Sequence, residues 1–353
     1  MGTGTGTGTA LTGPVPVTVY GAYGHTGRFV VAELRNRGFV PVISGRDTGK
    51  LRALAASTSG VEARPASIDD PASLDRALTG AAAVINCAGP FVLTAAPVIE
   101  AALRAGIPYV DVAAEIEANV DTFTHFADRA RAAGAVIVPA MAFYGGLGDL
   151  LTTAAMGDWT TADEATVAYG LSGWHPTPGT RTAGKVSRER RSGRRVRYTN
   201  GRLEYHDTEP TLLKWPFPDP MGTREVIGDF TMADVVTIPS HLSIPEVRTH
   251  MTTEAAGDLS SPDTPSPTAT DATGRSDQTF LVEAVVRSGD RERRAVATGQ
   301  DIYAVTAPLA VEAVDRVLTG RTHATGVASA GQMFDAADFL RALAPHITFE
   351  PLQ

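Results

Sequence analysis

The stretch VPVTVYGAYGHTGRFVVAELRNRGFVPVISGRD, Val15 to Asp47, decides the fold. Its apolar run Val15–Tyr20 reads as a buried strand, Gly21, Gly24 and Gly27 as a turn, Thr26–Arg37 as a helix and Phe39–Ser44 as a second strand, together one βαβ unit. Gly21 lets the chain turn sharply, Gly24 lets backbone N–H groups approach a pyrophosphate, and Gly27 lets the helix pack close to the strand. The helix N-terminus, with its free N–H groups and positive dipole end, suits a dinucleotide phosphate. Glycines alone are weak evidence because they also end strands for steric reasons. Set between a strand and a helix, with a second strand about 20 residues on, they predict nucleotide binding. Gly21, Tyr23, Gly24, His25, Thr26 and Gly27 are the expected contacts.

The end of the second strand selects the dinucleotide. An NAD site carries an Asp or Glu there for the ribose 2′-hydroxyl, whereas this chain has Ser44-Gly45-Arg46. A guanidinium favours a 2′-phosphate through charge-assisted hydrogen bonds, and Lys50 is close enough in sequence to help. NADPH is therefore the expected cofactor. A solvated Arg46 is the plainer alternative, and Asp47 remains as an acid able to serve a ribose hydroxyl.

At 353 residues the chain has room for two domains, and its 43% hydrophobic and 20% charged content is that of an ordinary globular protein. A net charge of -8 argues against nucleic acid as a partner without excluding local basic patches. A single cysteine, Cys87, rules out an internal disulfide and a multi-cysteine metal site, and fits a reducing cytoplasm. Met1–Gly13 has neither the basic nor the apolar region of a secretory signal and reads as a disordered tail. The uncharged run Ala132–Gly148 is broken by Pro139 and several glycines, so a buried strand and loop explain it better than a membrane span. A cytoplasmic protein with no membrane partner is expected.

Past the first βαβ unit the alternation continues through Thr48–Ser57, Gly60–Ala66, Pro71–Leu78, Ala82–Cys87, Ala95–Ala105, Tyr109–Val112, Val120–Ala133 and Ala135–Pro139. Strands alternating with helices make a doubly wound parallel sheet, whose ligands sit at the carboxyl ends of the strands. Two motifs lie at such ends. In Asn86–Phe91, the small residues Cys87, Ala88 and Gly89, then Pro90 and Phe91, suit backbone running beneath a nicotinamide ribose with Phe91 as a wall; a plain strand-to-helix turn is the alternative. Tyr109–Glu115 brings the carboxylates Asp111 and Glu115, either of which could simply cap a helix.

From Leu150 to Thr298 the βα rhythm stops. Ala165–Leu171, a meander over Gly184–His206 turning at Ser192-Gly193 and Asn200-Gly201, Val235–Ile238 and Gln278–Arg287 suggest a largely antiparallel α+β domain. Leu259–Gly274, rich in Pro, Ser and Thr, reads as a mobile loop. Helical periodicity returns in Ala307–Leu318 and Gln332–Leu343. The expected organisation is a dinucleotide-binding domain over 14–148, a substrate and dimerisation domain over 149–298, and a segment over 299–353 that returns to the first domain.

Taken together, GAYGHTGR (Gly21–Arg28), SGRD (Ser44–Asp47), VINCAGPF (Val84–Phe91), YVDVAAE (Tyr109–Glu115), Gly299–Ala307 and Gly326–Gly331 resemble the saccharopine dehydrogenase-like reductases, a family that includes trans-acting enoyl reductases. The resemblance covers most of 15–145 and 299–343 and is thin between. It implies NAD(P)-linked hydride transfer, a Rossmann domain discontinuous in sequence, and a sheet-rich second domain that often dimerises. Where members often carry a Phe-Asp-Ser-Val-Pro-Ser-Asp-type loop near substrate, this chain has Phe143-Tyr144-Gly145-Gly146-Leu147-Gly148-Asp149. The substrate need not be an amino acid.

Hydride transfer needs a positioned electrophilic carbon and a proton source. The candidate donors are Tyr144, His175 and Lys185, with Tyr169, Trp174 and Arg181 nearby in sequence. Each has a plainer reading: wall residue, loop residue and solvated strand position. The expectation is an NADPH-dependent reduction of a C=N bond of a small molecule, free or carrier-bound, by a homodimer. Reduction of a C=C bond on a polyketide-type intermediate and NADP sensing without catalysis are the alternatives. The run Arg188, Arg190, Arg191, Arg194, Arg195 and Arg197 is either the solvated face of a hairpin or a landing site for an acidic carrier or substrate carboxylates.

Overall fold

The computed structural model describes residues 13–352, so the tail reading of Met1–Gly13 falls almost wholly outside the described residues. The first sheet is built from β1 (Pro16–Tyr20), α1 (His25–Asn36), β2 (Val40–Gly45), α2 (Thr48–Ser57), β3 (Glu62–Pro65), α3 (Pro71–Leu78), β4 (Ala83–Asn86), α4 (Phe91–Ala105), β5 (Tyr109–Asp111), α5 (Ile116–Ala132) and β6 (Val136–Val138). All its pairings are parallel, in the order β3-β2-β1-β4-β5-β6, with a seventh strand beyond β6. The strands are apolar on both sides because both faces are covered. Val17, Val19, Ile43, Ile85 and Val110 join the core that holds Val30 and Leu34 of α1, while Tyr20, Val84 and Tyr109 join the one that holds Leu74 of α3 and Ile99 of α4. The order in which strands are added reverses between β1 and β4, which opens the ligand crevice at their carboxyl ends.

After a single π-type turn, Phe143–Leu147, come α6 (Gly148–Met156), β7 (Glu164–Leu171), α7 (Pro178–Arg190), β8 (Arg195–Thr199), β9 (Arg202–His206), β10 (Leu212–Pro216), β11 (Thr223–Ile227), α8 (Asp234–Thr237), β12 (Glu246–Thr252), α9 (Thr253–Ser260), β13 (Thr279–Ser288) and β14 (Arg291–Gln300). The second sheet runs β10-β11-β12-β7-β13-β14 and one further strand, with β8 and β9 attached at β12. It is antiparallel apart from the parallel β7–β12 pair. The chain closes with α10 (Thr306–Leu318), β15 (Gly326–Val327), α11 (Ala330–Met333), α12 (Ala336–Ala342) and β16 (Ile347–Leu352). This last segment divides between the sheets: β15 pairs with β6 in the first and β16 with β14 in the second. On α1, Arg37 binds Glu33 at 2.6 Å and also Glu312 of α10.

Four local readings change. Residues 178–190 form a helix, not a meander strand, because Thr177 Oγ1 accepts from Thr180 N–H at 3.0 Å and Pro178 opens the first turn; Ser192-Gly193 ends that helix with φ of 56° and 78°. Asp234–Thr237 is a buried helical turn where a strand was expected. The last helical stretch breaks where Asp335 caps α12. Residues 261–275 stay outside the core as expected but carry defined contacts: Thr264 C=O accepts from Arg181 at 2.9 Å, and within the loop Asp271 accepts from the N–H groups of Thr273 and Arg275.

The start of α6 is fixed by a close approach. A Cβ at Gly148 would lie 1.9 Å from Asp234 Oδ1, which accepts from Tyr169 Oη at 2.8 Å. Asp234 is fully buried and its Oδ2 has no partner, so burial pushes its carboxyl up to about 7 despite the Tyr169 hydrogen bond. A carboxyl raised in the folded state stabilises the fold below its unfolded pKa, and that contribution disappears as pH rises through the folded value. In urea melts between pH 5 and pH 7.5, the protein should therefore lose stability relative to its Asp234→Asn variant by roughly 1 kcal/mol per pH unit. A difference that does not change with pH would show that Asp234 ionises as a carboxylate in water does.

Candidate functional site

The carboxyl ends of β1, β2 and β4 open into a cavity of about 1470 Å³ lined on its other side by the second domain. A pocket for one small molecule measures roughly 300–1,000 Å³, so this one has room for a dinucleotide and a second ligand. The glycine turn forms its floor. Gly21 N–H donates to Ser44 C=O at 2.9 Å, and Gly24 N–H to Gly21 C=O at 3.0 Å. No side chain caps α1 and no acid sits in its first turn, which leaves its N–H groups and positive end for an anion. His25 Nε2 is buried without a partner, its ring edge-on to Phe29 at 5.3 Å and Tyr303 at 5.2 Å. Burial lowers its pKa against the pull of Asp301, so the imidazole is neutral.

Gly21, Tyr23, Gly24, His25, Thr26, Gly45 and Arg46 line the cavity. Two expected contacts do not. Gly27 is needed for packing, since a Cβ there would lie 2.3 Å from Gly21 O, and Ser44 is buried in β2 with its hydroxyl donating to Arg64 C=O at 2.7 Å. Arg46 is exposed with no carboxylate partner among the described residues. Asp47 does not face a ribose: it accepts from Lys50 N–H at 3.0 Å to cap α2, and the Lys50 ammonium lies 3.7 Å from it. Arg46 and Lys50, with Arg28 beside the glycine turn, are thus the cations at this end of the cavity.

Cys87, Ala88, Gly89, Pro90 and Phe91 continue the wall. Burial pushes the Cys87 thiol well up, so it is not a nucleophile. Asn86 shapes the turn, its Oδ1 accepting from Ala88 N–H at 3.0 Å. The two carboxylates have structural partners. Asp111 accepts from Tyr109 Oη at 2.8 Å and from the N–H groups of Ala113 and Ala140. Glu115 accepts from Phe91 N–H at 2.9 Å and Val92 N–H at 3.0 Å, so it caps α4 from a distant part of the chain. It also lines the cavity, where burial outweighs those two bonds and raises its carboxyl to about 7.

The three candidate donors separate. Tyr144 stands in the cavity wall inside an aromatic cage, its ring 5.0 Å from Trp174, 5.0 Å from Tyr169 and 4.8 Å from Phe143. Its Oη is buried without a partner, and burial holds its pKa well above the usual phenol value. His175, on the loop between β7 and α7, is not in the cavity wall. Lys185 is on the wall, but on an exposed face of α7 and 3.9 Å from Glu189. Tyr303 is the residue that sequence reasoning passed over. Its Oη meets Trp174 Nε1 at 3.1 Å, Thr177 N–H at 3.2 Å and Thr180 Oγ1 at 2.9 Å, fastening the cage to the start of α7. It lies within Gly299–Ala307, a segment the family resemblance marked without singling out a residue.

Comparison with known proteins agrees with this geometry. Residues 17–138 match the family model for the saccharopine dehydrogenase NADP binding domain, and NADP is its cofactor. A relative from Arabidopsis thaliana, named a probable mitochondrial saccharopine dehydrogenase-like oxidoreductase, is 30% identical over 148 residues, 37% of this chain and 33% of that one. The human saccharopine dehydrogenase-like oxidoreductase is 30% identical over 120 residues, 29% of this chain and 28% of that one. A lipid droplet localized protein of Caenorhabditis elegans is 34% identical over 111 residues, 28% of this chain and 26% of that one. The chain thus spans about a third or less of the length of the relatives it matches. Two of these names overturn the expectation of a cytoplasmic protein, one relative being mitochondrial and another placed on lipid droplets. Among the described residues no helix is long and apolar enough to cross a membrane. The fold as a whole matches saccharopine dehydrogenase (L-Glu forming) from Saccharomyces cerevisiae, with a TM-score of 0.63 at 12% identity over 96% of this chain and 100% of that one. Residues 17–138 thus carry a saccharopine dehydrogenase-type NADP-binding domain, and the two-sheet fold in which it is set is that of saccharopine dehydrogenase.

Proposed function

We propose that the protein is an NADPH-dependent reductase that delivers hydride to the carbon of a C=N bond, with Tyr144 supplying the proton to nitrogen. The observation that carries this reading is the Tyr144 hydroxyl: buried, unpartnered, and in the wall of the cavity that also holds the Gly21–Thr26 turn and the Ala88–Phe91 strand end. Bound NADPH would supply the hydride. The protein's part is to hold both reactants, keep water out and place one proton. The α1 N-terminus and His25 hold the pyrophosphate side, Arg46 and Lys50 the 2′-phosphate, and Phe91 walls the ring. Glu115 fixes the start of α4, and Tyr303 fixes Trp174 and α7 against the first domain. Burial keeps Tyr144 protonated throughout the physiological range, as a general acid requires.

An imine is served by one proton donor, and the cage offers one. An enoyl substrate would call for several donors around the enolate oxygen. The size of the cavity supports turnover over cofactor sensing, because space remains beside a dinucleotide.

NADPH should bind at least about tenfold more tightly than NADH, and Arg46→Ala should remove most of that preference. Equal affinities of the unaltered protein, measured by nicotinamide fluorescence, would refute the role of Arg46. Tyr144→Phe should lower kcat on a cyclic imine by about 100-fold or more while leaving NADPH affinity within about twofold. Undiminished turnover would remove Tyr144 as the acid. Across a panel of cyclic imines and α,β-unsaturated thioesters, NADPH oxidation should occur with the imines; oxidation with the thioesters alone would replace C=N by C=C reduction.

A further inference from the structure

The cavity has a second group of cations besides Arg46 and Lys50. Lys185, Arg188 and Arg191 of α7, Arg194 and Arg195 beside β8, and His206 at the end of β9 all line it. Ala183 meets the first domain at Gly89, where a built Cβ would lie 3.8 Å from its own Cβ, so the helix carries its later residues past the strand end assigned to the nicotinamide. This end therefore lies on a different sheet from Arg46 and Lys50.

Three of its arginines have no carboxylate partner among the described residues. The Arg188 guanidinium has no hydrogen bond or ion pair among the described residues, and Arg194 reaches the Arg191 carbonyl and lies over the Tyr205 ring at 5.3 Å. Arg195 donates only to the carbonyls of Thr208, Gly228 and Asp229. Arg191, by contrast, is neutralised by Glu117 at 3.4 Å, and the neighbouring Arg190 and Arg197 pair with Asp121 and Glu204, both at 2.7 Å. The acids at this end of the wall are Asp207 and Glu209, both exposed. His206 adds an independent observation. It is only 9% exposed, and neither Nδ1 nor Nε2 has a partner. A buried imidazole left with both nitrogens unsatisfied is costly, and a ligand with an acceptor oxygen removes that cost at the N–H nitrogen.

We propose that this end of the cavity binds the phosphate group of a phosphorylated small-molecule substrate, held by Arg188, Arg194, Arg195 and His206. A slender group that enters the cavity fits, because a protein surface cannot reach a side chain as buried as His206. Phosphate fits better than one carboxylate because three unneutralised guanidiniums exceed its single charge, and phosphate oxygens match their forked donors. The inference rests on NADPH occupying the Gly21–Phe91 side of the same cavity, which leaves this end for the substrate.

Calorimetric titration with inorganic pyrophosphate, on the apo protein and on protein saturated with NADP⁺, tests the site. One pyrophosphate should bind to the NADP⁺-saturated protein, about tenfold or more weakly in His206→Gln and in Arg194→Gln, and unchanged in Arg46→Ala; the apo protein should show the same His206-dependent site beside the one at the α1 N-terminus that NADP⁺ blocks. Arg188→Gln, an exposed position, gives the same weakening without any question of folding. Three results would overturn the proposal: no binding, binding that NADP⁺ or Arg46→Ala abolishes while His206→Gln leaves it intact, or citrate binding as tightly as pyrophosphate with the same dependence on His206. Nicotinamide fluorescence of the same variants reports separately on the cofactor. A protein that bound no NADPH would fail the reductase reading, while the His206 dependence of pyrophosphate binding to the apo protein would still decide this one.

Discussion

The contact between α1 and β1 is the constraint from which the site follows. A side chain at position 27 would strike the Gly21 carbonyl at 2.3 Å, so the helix can lie this close to the strand only with hydrogen there. That proximity aims the uncapped N-terminus of α1 across the ends of β1 and β4, into the crevice where the strand order reverses. The same helix is pinned from behind by Arg37, shared between Glu33 and Glu312, so α10 from the end of the chain stabilises an element from its start. Cofactor geometry and the discontinuity of the first domain are thus one arrangement. The anion-binding helix needs support on the face away from the sheet, and a late helix supplies it.

How much of this could be read from sequence depended on how local its cause was. The glycine turn, the helix that opens at Pro71 and the alternation of strands and helices are governed by neighbours within a few residues, and each appears where the pattern put it. The start of α4 does not, because the group that caps it, Glu115, is 24 residues away and only folding brings it there. The helix over 178–190 was obscured by its Gly, Ser and Arg content, which resembles a polar hairpin. Asp234, whose approach forbids a side chain at Gly148, left no trace in spacing at all. The cofactor half of the site was legible since βαβ chemistry is local, whereas Tyr303 and His206 belong to loops and strand ends whose neighbours are set by tertiary packing.

The cavity is chemically graded from end to end. In its wall burial keeps the Cys87 thiol and the Tyr144 phenol protonated and the His25 imidazole uncharged, and brings Glu115 to about 7. Its ends are cationic, with Arg46 and Lys50 at one and the α7 and β8 arginines at the other. A low-dielectric centre strengthens each remaining polar interaction and excludes the water that would compete for a proton. Charge at the ends can fix two anionic ligands without placing a counter-charge beside the reacting atoms.

That separation has a cost which the fold distributes. Each buried neutral acid needs a partner or a reason to stay protonated, and the second domain supplies both. Tyr169 serves Asp234 on one side of the cage and stacks against Tyr144 on the other, so one residue of β7 links the brace beneath α6 to the wall of the cavity. Tyr303 does the same between α1 and α7, touching His25 with its ring and Trp174 and Thr180 with its hydroxyl. The two tyrosines couple the sheets through side chains that are fully used. Tyr144, lying between them with its hydroxyl unused, is the one phenol of this cluster that folding has left free for a ligand.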